Sequence, residues 1–247
     1  MNYEITDNTL GKIIIVPHKR AKNVIARQKN EYIQLTVPYG ITRNRILSTI
    51  EKLKPRLLNL PKTETPKNTL ITENDTIHTH TFSVHIARHT ITEKIGISLK
   101  NEKLHISFPQ NSDISTPENQ NIIRQAVISA LRKEAKRVLS EKTAHFAKKF
   151  GLSYNAIKIM SSKTRWGSCS GKKNINYSLF LLLLPEKFIN YVVLHELAHT
   201  VEMNHSERFW VLLDRFTDKR AKELAKELRG YRTEWSGFSF YGNSAIV

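Results

Sequence analysis

Along the first third of the chain, apolar positions fall in short β-branched runs rather than in helical stripes. "KIIIVP", "KNVIARQ" and "YIQLTVP" read as strands, and "QKNEY" between the last two reads as a hairpin turn. The pattern then lengthens in "TRNRILSTIEKLKPRLLNL", where Ile46, Ile50 and Leu53 recur at helical spacing. Thr42 suits the N-cap, and Pro55 is expected to end or bend this helix. A polar, proline-bearing loop follows in "PKTETPKNTLITEND". Strand patterning returns over residues 77–109 in "IHTHTFSVHIAR" and "KIGISLKNEKLHISFP", with "KNEK" as the turn. By inspection the sequence shows no internal repeat.

The texture then changes to helix. "STPENQNIIRQAVISALRKEAKRVLSEKTAHFAKKFGL" has Ser115 or Thr116 as its cap, Pro117 in its first turn and Gly151 as its stop. Ile123, Ala126, Val127, Ala130 and Leu131 make the apolar stripe. "AIKIMSS" predicts a strand, and "TRWGSCSGKKNINYSLFLLLL" predicts a hairpin turning near Gly171. Pro185 opens a further helix, which contains "YVVLHELAH". Two more helical runs follow, "SERFWVLLDRF" and "DKRAKELAKELRG", with Ser206 and Thr217 as caps and Gly230 as the stop. The expected fold is therefore α+β: a β-rich region over 1–112, a helical domain over 113–232 that carries a β-hairpin, and an aromatic tail over 233–247.

Charge changes the picture more than composition does. Thirty-nine Lys and Arg against 22 Asp and Glu leave a net charge of +17. Such a surface attracts polyanions, so nucleic acid is a candidate partner, although a basic solvated surface without a specific partner has the same composition. Arg132, Lys133, Lys136 and Arg137 on the long helix form either a polyanion track or a solvated face. The longest apolar run, "YSLFLLLLP", is far too short to span a bilayer, so no membrane partner is expected. "MNYEITDNTLGK" lacks the pattern of a signal peptide, and a single cysteine, Cys169, fits a reducing compartment. The expected location is the cytoplasm.

The candidate chemistry lies in "HELAHTVEMNH", residues 195–205. On a helix, His195 and His199 share one face a turn apart, the spacing at which two imidazoles grip one Zn²⁺. Glu196 lies between them, placed to act on water as a general base. A catalytic zinc takes three protein ligands, and His205 is the preferred third, with Glu202 or Glu207 as alternatives. A straight helix carries His205 away, so the chain must turn, and Asn204 is a candidate left-handed helix end. The H-E-x-x-H-x5-H spacing matches that of metzincins, but Glu202 stands where those carry glycine. Two histidines and a glutamate inside "FINYVVLHELAHTV" are costly to bury unless something pairs them, and a metal ion does so. His78 and His80 share a strand face as well, but no acidic or cysteine partner accompanies them, so a polar solvent face is the expected reading.

Taken together, "TRWGSCS…NINYSL" and "VVLHELAHTVEMNHSERFW" resemble the YgjP-like zinc metallopeptidases, relatives of the SprT-like and WLM proteases. The "HKRAKNVIARQ…IQLTVPYG" stretch resembles the β-rich opening of the same family. The resemblance implies a zincin-like domain with an active-site hairpin, one Zn²⁺ per chain on His195, His199 and His205, and Glu196 as the catalytic base. A peptide or protein would be the substrate. An edge strand beside such a centre can bind an extended peptide, with Arg165 and Trp166 lining the cleft; alternatively Trp166 is core and Arg165 caps a helix end. Arg165 and Tyr231 are candidates, by residue type alone, for steadying an oxyanion. Cys169 is not needed as a nucleophile. The alternative function is a nucleic-acid-associated basic protein with SprT-like, DNA-linked protease activity.

Overall fold

The computed structural model describes residues 2–19, 21–28, 32–58 and 70–231. The chain divides into two compact units, Met1–Asn68 and Thr69–Val247. In the first, β1 (Tyr3–Asp7), β2 (Gly11–His18), β3 (Ile25–Gln28) and β4 (Ile33–Pro38) form a sheet of order β1-β2-β4-β3, followed by α1 (Arg43–Leu58). β2 and β4 run parallel, and β1 and β3 flank them antiparallel. Alternation places Ile13, Ile15, Ile33, Leu35 and Val37 on one face, where Ile46, Ile50 and Leu57 of α1 cover them. β1 escaped the sequence reading because its burial is slight. What marks it is the turn after it, where Asp7 Oδ1 accepts from the N–H groups of Thr9 and Leu10 at 2.8 Å each. Pro55 does not end α1, which continues through it to Leu58; near a helix end the missing N–H forfeits a single hydrogen bond. The "QKNEY" turn falls largely outside the described residues, but the strands it joins pair antiparallel.

The second unit opens with β5 (Ile77–His78), β6 (Ser83–His89), β7 (Gly96–Lys100) and β8 (Lys103–Pro109), in the order β5-β6-β8-β7. α2 (Pro117–Phe150) starts at Thr116, whose side chain accepts from Asn119 N, and stops at Gly151 with φ 65°, as its sequence predicts. β9 (Ala156–Met160), β10 (Gly167–Cys169) and β11 (Asn174–Ser178) form a third sheet, β10-β11-β9. The β10–β11 hairpin turns at Gly171 as expected, but the left-handed residue is Lys173, φ 59°. The apolar run after β11 is not strand: Leu179–Leu183 is a buried 3-10 turn. α3 (Glu186–Ala198), α4 (Glu207–Phe216) and α5 (Ala221–Gly230) complete the unit. Thr217 ends α4 instead of opening α5, and Gly230 lies inside α5. β5–β8 share one continuous core with α2–α5, so the change of texture at 112/113 lies inside this unit. The tail after Tyr231 lies outside the described residues. The fold is α+β, and no described helix is long and apolar enough to cross a membrane.

The two opening sheets repeat each other, contrary to the reading of the sequence. β2 pairs with β4 from Ile13↔Ile33 to His18↔Pro38, and β6 pairs with β8 from Val84↔Leu104 to His89↔Pro109. Adding 71 to every number in the first ladder gives the second, and the same shift carries Ile25↔Thr36 into Gly96↔Ser107. Each copy then turns through the same hydrogen bond, Ile41 N to Pro38 O and Ser112 N to Pro109 O, before its helix begins. The identical residues are few: Ile15 and Ile86, His18 and His89, Pro38 and Pro109, and the triplet Lys-Asn-Glu at 29–31 and 100–102.

Candidate metal centre

α3 is apolar on nearly all sides and lies inside the core, so its polar residues carry the cost of burial. His195 is 2% exposed and Glu196 4%. The helix ends at Ala198, with His199 as its cap. Thr200 N then bonds Leu197 O, and both Val201 N and Glu202 N bond Ala198 O. This tightening turns the chain without any left-handed residue, and Asn204 has no positive φ. Ser206 stands at the N-cap of α4, although its side chain makes no capping bond. The corner brings His205 back: the Nε2 atoms of His195, His199 and His205 lie pairwise 3.1 Å apart.

Three ring nitrogens converging in this way can hold one shared cation. Nitrogens bound to one tetrahedral zinc at ~2.0–2.1 Å stand ~3.3 Å from one another, close to the spacing found. His199 Nδ1–H donates to the Glu202 carbonyl oxygen at 3.0 Å, which leaves the Nε2 lone pair facing the centre. Burial, reinforced by the neighbouring His199 and His205, pushes His195 down to about 2, and burial lowers His199 and His205 as well. All three are therefore neutral at pH 7, the form in which an imidazole can ligate a metal. Among the described residues this is the one group of three His, Cys, Asp or Glu side chains close enough to hold a metal ion. The Glu202 and Glu207 carboxylates are not in it. Beneath the three rings lies fully buried Phe209, its centroid 4.9, 4.5 and 4.7 Å from those of His195, His199 and His205. The sequence reading missed it, although it stands four residues past His205, one turn along α4.

Glu196 points toward the hairpin. Burial pushes its carboxyl up to about 8, against the opposing charge of Arg165, and Oε2 has no partner among the described residues. A Cβ at Gly167 would overlap Glu196 Oε1 and come within 2.7 Å of Cδ and Cγ. The glycine of "WGSCS" is thus what lets β10 lie against the carboxylate. Arg165 is exposed, and together with Lys158, Gly167, Ser168 and Asn176 it lines a cleft of about 380 Å³. Trp166 is half-buried against the core, and its carbonyl accepts from Ser178 N at 2.8 Å. Tyr231 packs on Phe188 at 5.2 Å, two helical turns upstream of His195. Burial and the nearby Glu196 push the Cys169 thiol up to about 11, so it is not a thiolate at neutral pH.

The arginines of the long helix are engaged locally. Arg132 bonds Ile159 O and Ser161 Oγ, and Arg137 pairs with Glu134 and Glu141. His78 is exposed at the end of β5, and neither it nor His80 joins a cluster that could hold a metal.

The profile of the YgjP-like metallopeptidase domain matches residues 22–231. No curated protein matches the chain. Among solved structures, the metallopeptidase zymogen abylysin of Pyrococcus abyssi is similar at 26% identity, over 38% of this chain and 93% of that one, with a TM-score of 0.34. The match of the profile over most of the sequence is what decides: the chain belongs to the YgjP-like metallopeptidase family.

Proposed function

We propose that the protein is a zinc-dependent peptidase in which His195, His199 and His205 hold the metal and Glu196 is the general base. The observation that carries this reading is the convergence of three neutral Nε2 atoms at 3.1 Å next to the buried Glu196 carboxyl, whose Oε2 has no partner among the described residues. When bound, zinc supplies a Lewis acid that polarises a carbonyl and lowers the pKa of water toward ~7. A dication beside Glu196 also favours its carboxylate form, so the buried group becomes able to take a proton from water and deliver it to the departing amine. Among the described residues β10 pairs with β11 alone and is the outer strand of its sheet. An extended peptide laid along it would receive backbone hydrogen bonds, and Arg165, which lines the neighbouring cleft, would meet developing negative charge. In this reading, residues 113–232 form the zincin-like part and the β10–β11 hairpin is the upper rim of its active site.

Elemental analysis after purification without chelators or nickel resin tests the centre. About one zinc per chain is expected in the wild type, with clear loss in His205→Ala. Glu196→Gln should keep the metal and lose hydrolysis of an unstructured protein substrate by at least ~100-fold. Metal-free wild type after supply of zinc, or an active Glu196→Gln, overturns the assignment.

A further inference from the structure

The internal repeat supplies a control for the charge of the chain. Residues 1–68 carry thirteen Lys and Arg against five Asp and Glu, nearly half of the net +17 in little more than a quarter of the length. The fold does not require these charges. At the 71-residue shift, Arg27 corresponds to Ser98 on strands of the same register, Lys12 to Ser83 at the start of β2 and β6, and Lys19 and Lys22, in the connection from β2 to β3, to Thr90 and Glu93. The described acids of this unit are already engaged: Glu4 pairs with Lys12, and Asp7 and Glu51 pair with Lys54. Lys19, Lys22, Arg43 and Arg45 stay outside these pairs, and all four are exposed.

Topology places these four together. β2 and β4 are parallel neighbours whose last register pair is His18↔Pro38, so Lys19 and Tyr39 leave the sheet side by side, on chains ~4.8 Å apart at the last pair. Each then enters a tight turn, closed by Ala21 N to His18 O and by Ile41 N to Pro38 O. The second turn feeds directly into α1 at Arg43. At the same end of the sheet stands Tyr39, 71% exposed. In the second copy the equivalent end is closed. Arg88 donates to Gln110 O at 2.8 Å and to Ser112 O at 2.7 Å, and Gln110 stands where Tyr39 does in the first. Arg88 itself corresponds to Pro17, so the first copy has no such tie.

We infer that the sheet end formed by Lys19, Lys22, Tyr39, Arg43 and Arg45 binds single-stranded nucleic acid, stacking a base on Tyr39 while the flanking cations meet phosphates. An acidic protein would use the cations but has no need of a bare aromatic face. A duplex offers phosphates while keeping its bases stacked. The exposed ring among cations fits an unpaired strand.

The test uses the full chain and a fluorescein-labelled single strand of about 20 nucleotides of mixed sequence, long enough to cover one such site. Anisotropy is read across a salt series. Substitutions are taken from the second copy, where the same fold tolerates them. Lys19→Thr with Lys22→Glu should lower the slope of log K against log salt by at least ~1.4, the share of two single-strand phosphates. Tyr39→Gln should weaken binding about tenfold at every salt concentration and leave the slope unchanged. Metal content and peptidase activity should be the same in all variants. Failure of the wild type to bind the strand overturns the inference. So does equal affinity for the duplex, or a Tyr39→Gln chain that binds as tightly as the wild type.

Discussion

Gly167 shows how a single atom can govern the centre. A methyl group there meets the carboxyl of Glu196, which is itself buried. Gly167→Ala is expected to keep fold and metal while lowering kcat by ten- to a hundredfold, because Glu196 is pushed from the position in which it meets water. Steady-state kinetics alongside elemental analysis checks this, and a full-rate Gly167→Ala enzyme rejects it. Much of the proposed site was legible because helical spacing puts His195 and His199 on one face with Glu196 beside them, and His205 was preferred over Glu202 and Glu207 as the third ligand. The reason for Gly167 was not legible. It is a through-space contact between residues 29 positions apart, and no local pattern records it. Phe209 was within reach, since its spacing from His205 is helical, but an aromatic residue on a helix reads as ordinary core. Truncating it removes the surface on which all three rings rest. Phe209→Ala should cost about 3–5 kcal/mol of stability and weaken metal binding, as measured by denaturant unfolding and competition with a chelator.

Among the elements, those with clear start, stop and turn signals were the readable ones. α2 is capped by Thr116 and stopped by Gly151 as its sequence announces, and the "KNEK" turn joins β7 to β8. That turn holds Asn101 at φ 49° and Glu102 at φ 58°, the left-handed pair of a two-residue hairpin. Glycine occupies the second position without the steric cost of a Cβ, so Glu102→Gly should stabilise the chain by about 0.5–1 kcal/mol in chemical denaturation. The repeat was hidden because architecture depends on burial alternation rather than on identity. Ile33, Leu35 and Val37 do the work of Leu104, Ile106 and Phe108 without sharing a residue with them. The corner after His199 was foreseen in outline but not in its construction, since a turn can be closed by carbonyl sharing as well as by a left-handed residue.

At the scale of the molecule, proton binding and metal binding oppose each other. His195 and His199 stay neutral in the folded chain below their ordinary value of 6.5, whereas unfolded histidines take up protons there, so the metal-free protein loses stability as pH falls through that range. Glu196 has the reverse sign. Folded, it keeps its proton up to about 8, while unfolded it gives it up above 4.5, so its contribution is lost as pH rises through that window. The metal-free melting temperature should therefore pass through a maximum near neutrality. Zinc should remove the alkaline decline, because a neighbouring dication favours the carboxylate. Thermal melts with chelator and with zinc across pH 5–9 read both limbs, and identical profiles would reject the coupling.

The seat of the three imidazoles is made of carbon. Phe209 and the apolar length of α3 hold the rings where they are, and dissolved ions barely weaken contacts of that kind. The cationic end of the first sheet faces water, and every attraction it exerts fades as counterions accumulate. Ionic strength is therefore a selector between two behaviours of one polypeptide. On the two proposals made above, dilute salt favours the strand-binding end, and strong salt releases it while leaving the apolar seat of the three imidazoles unchanged.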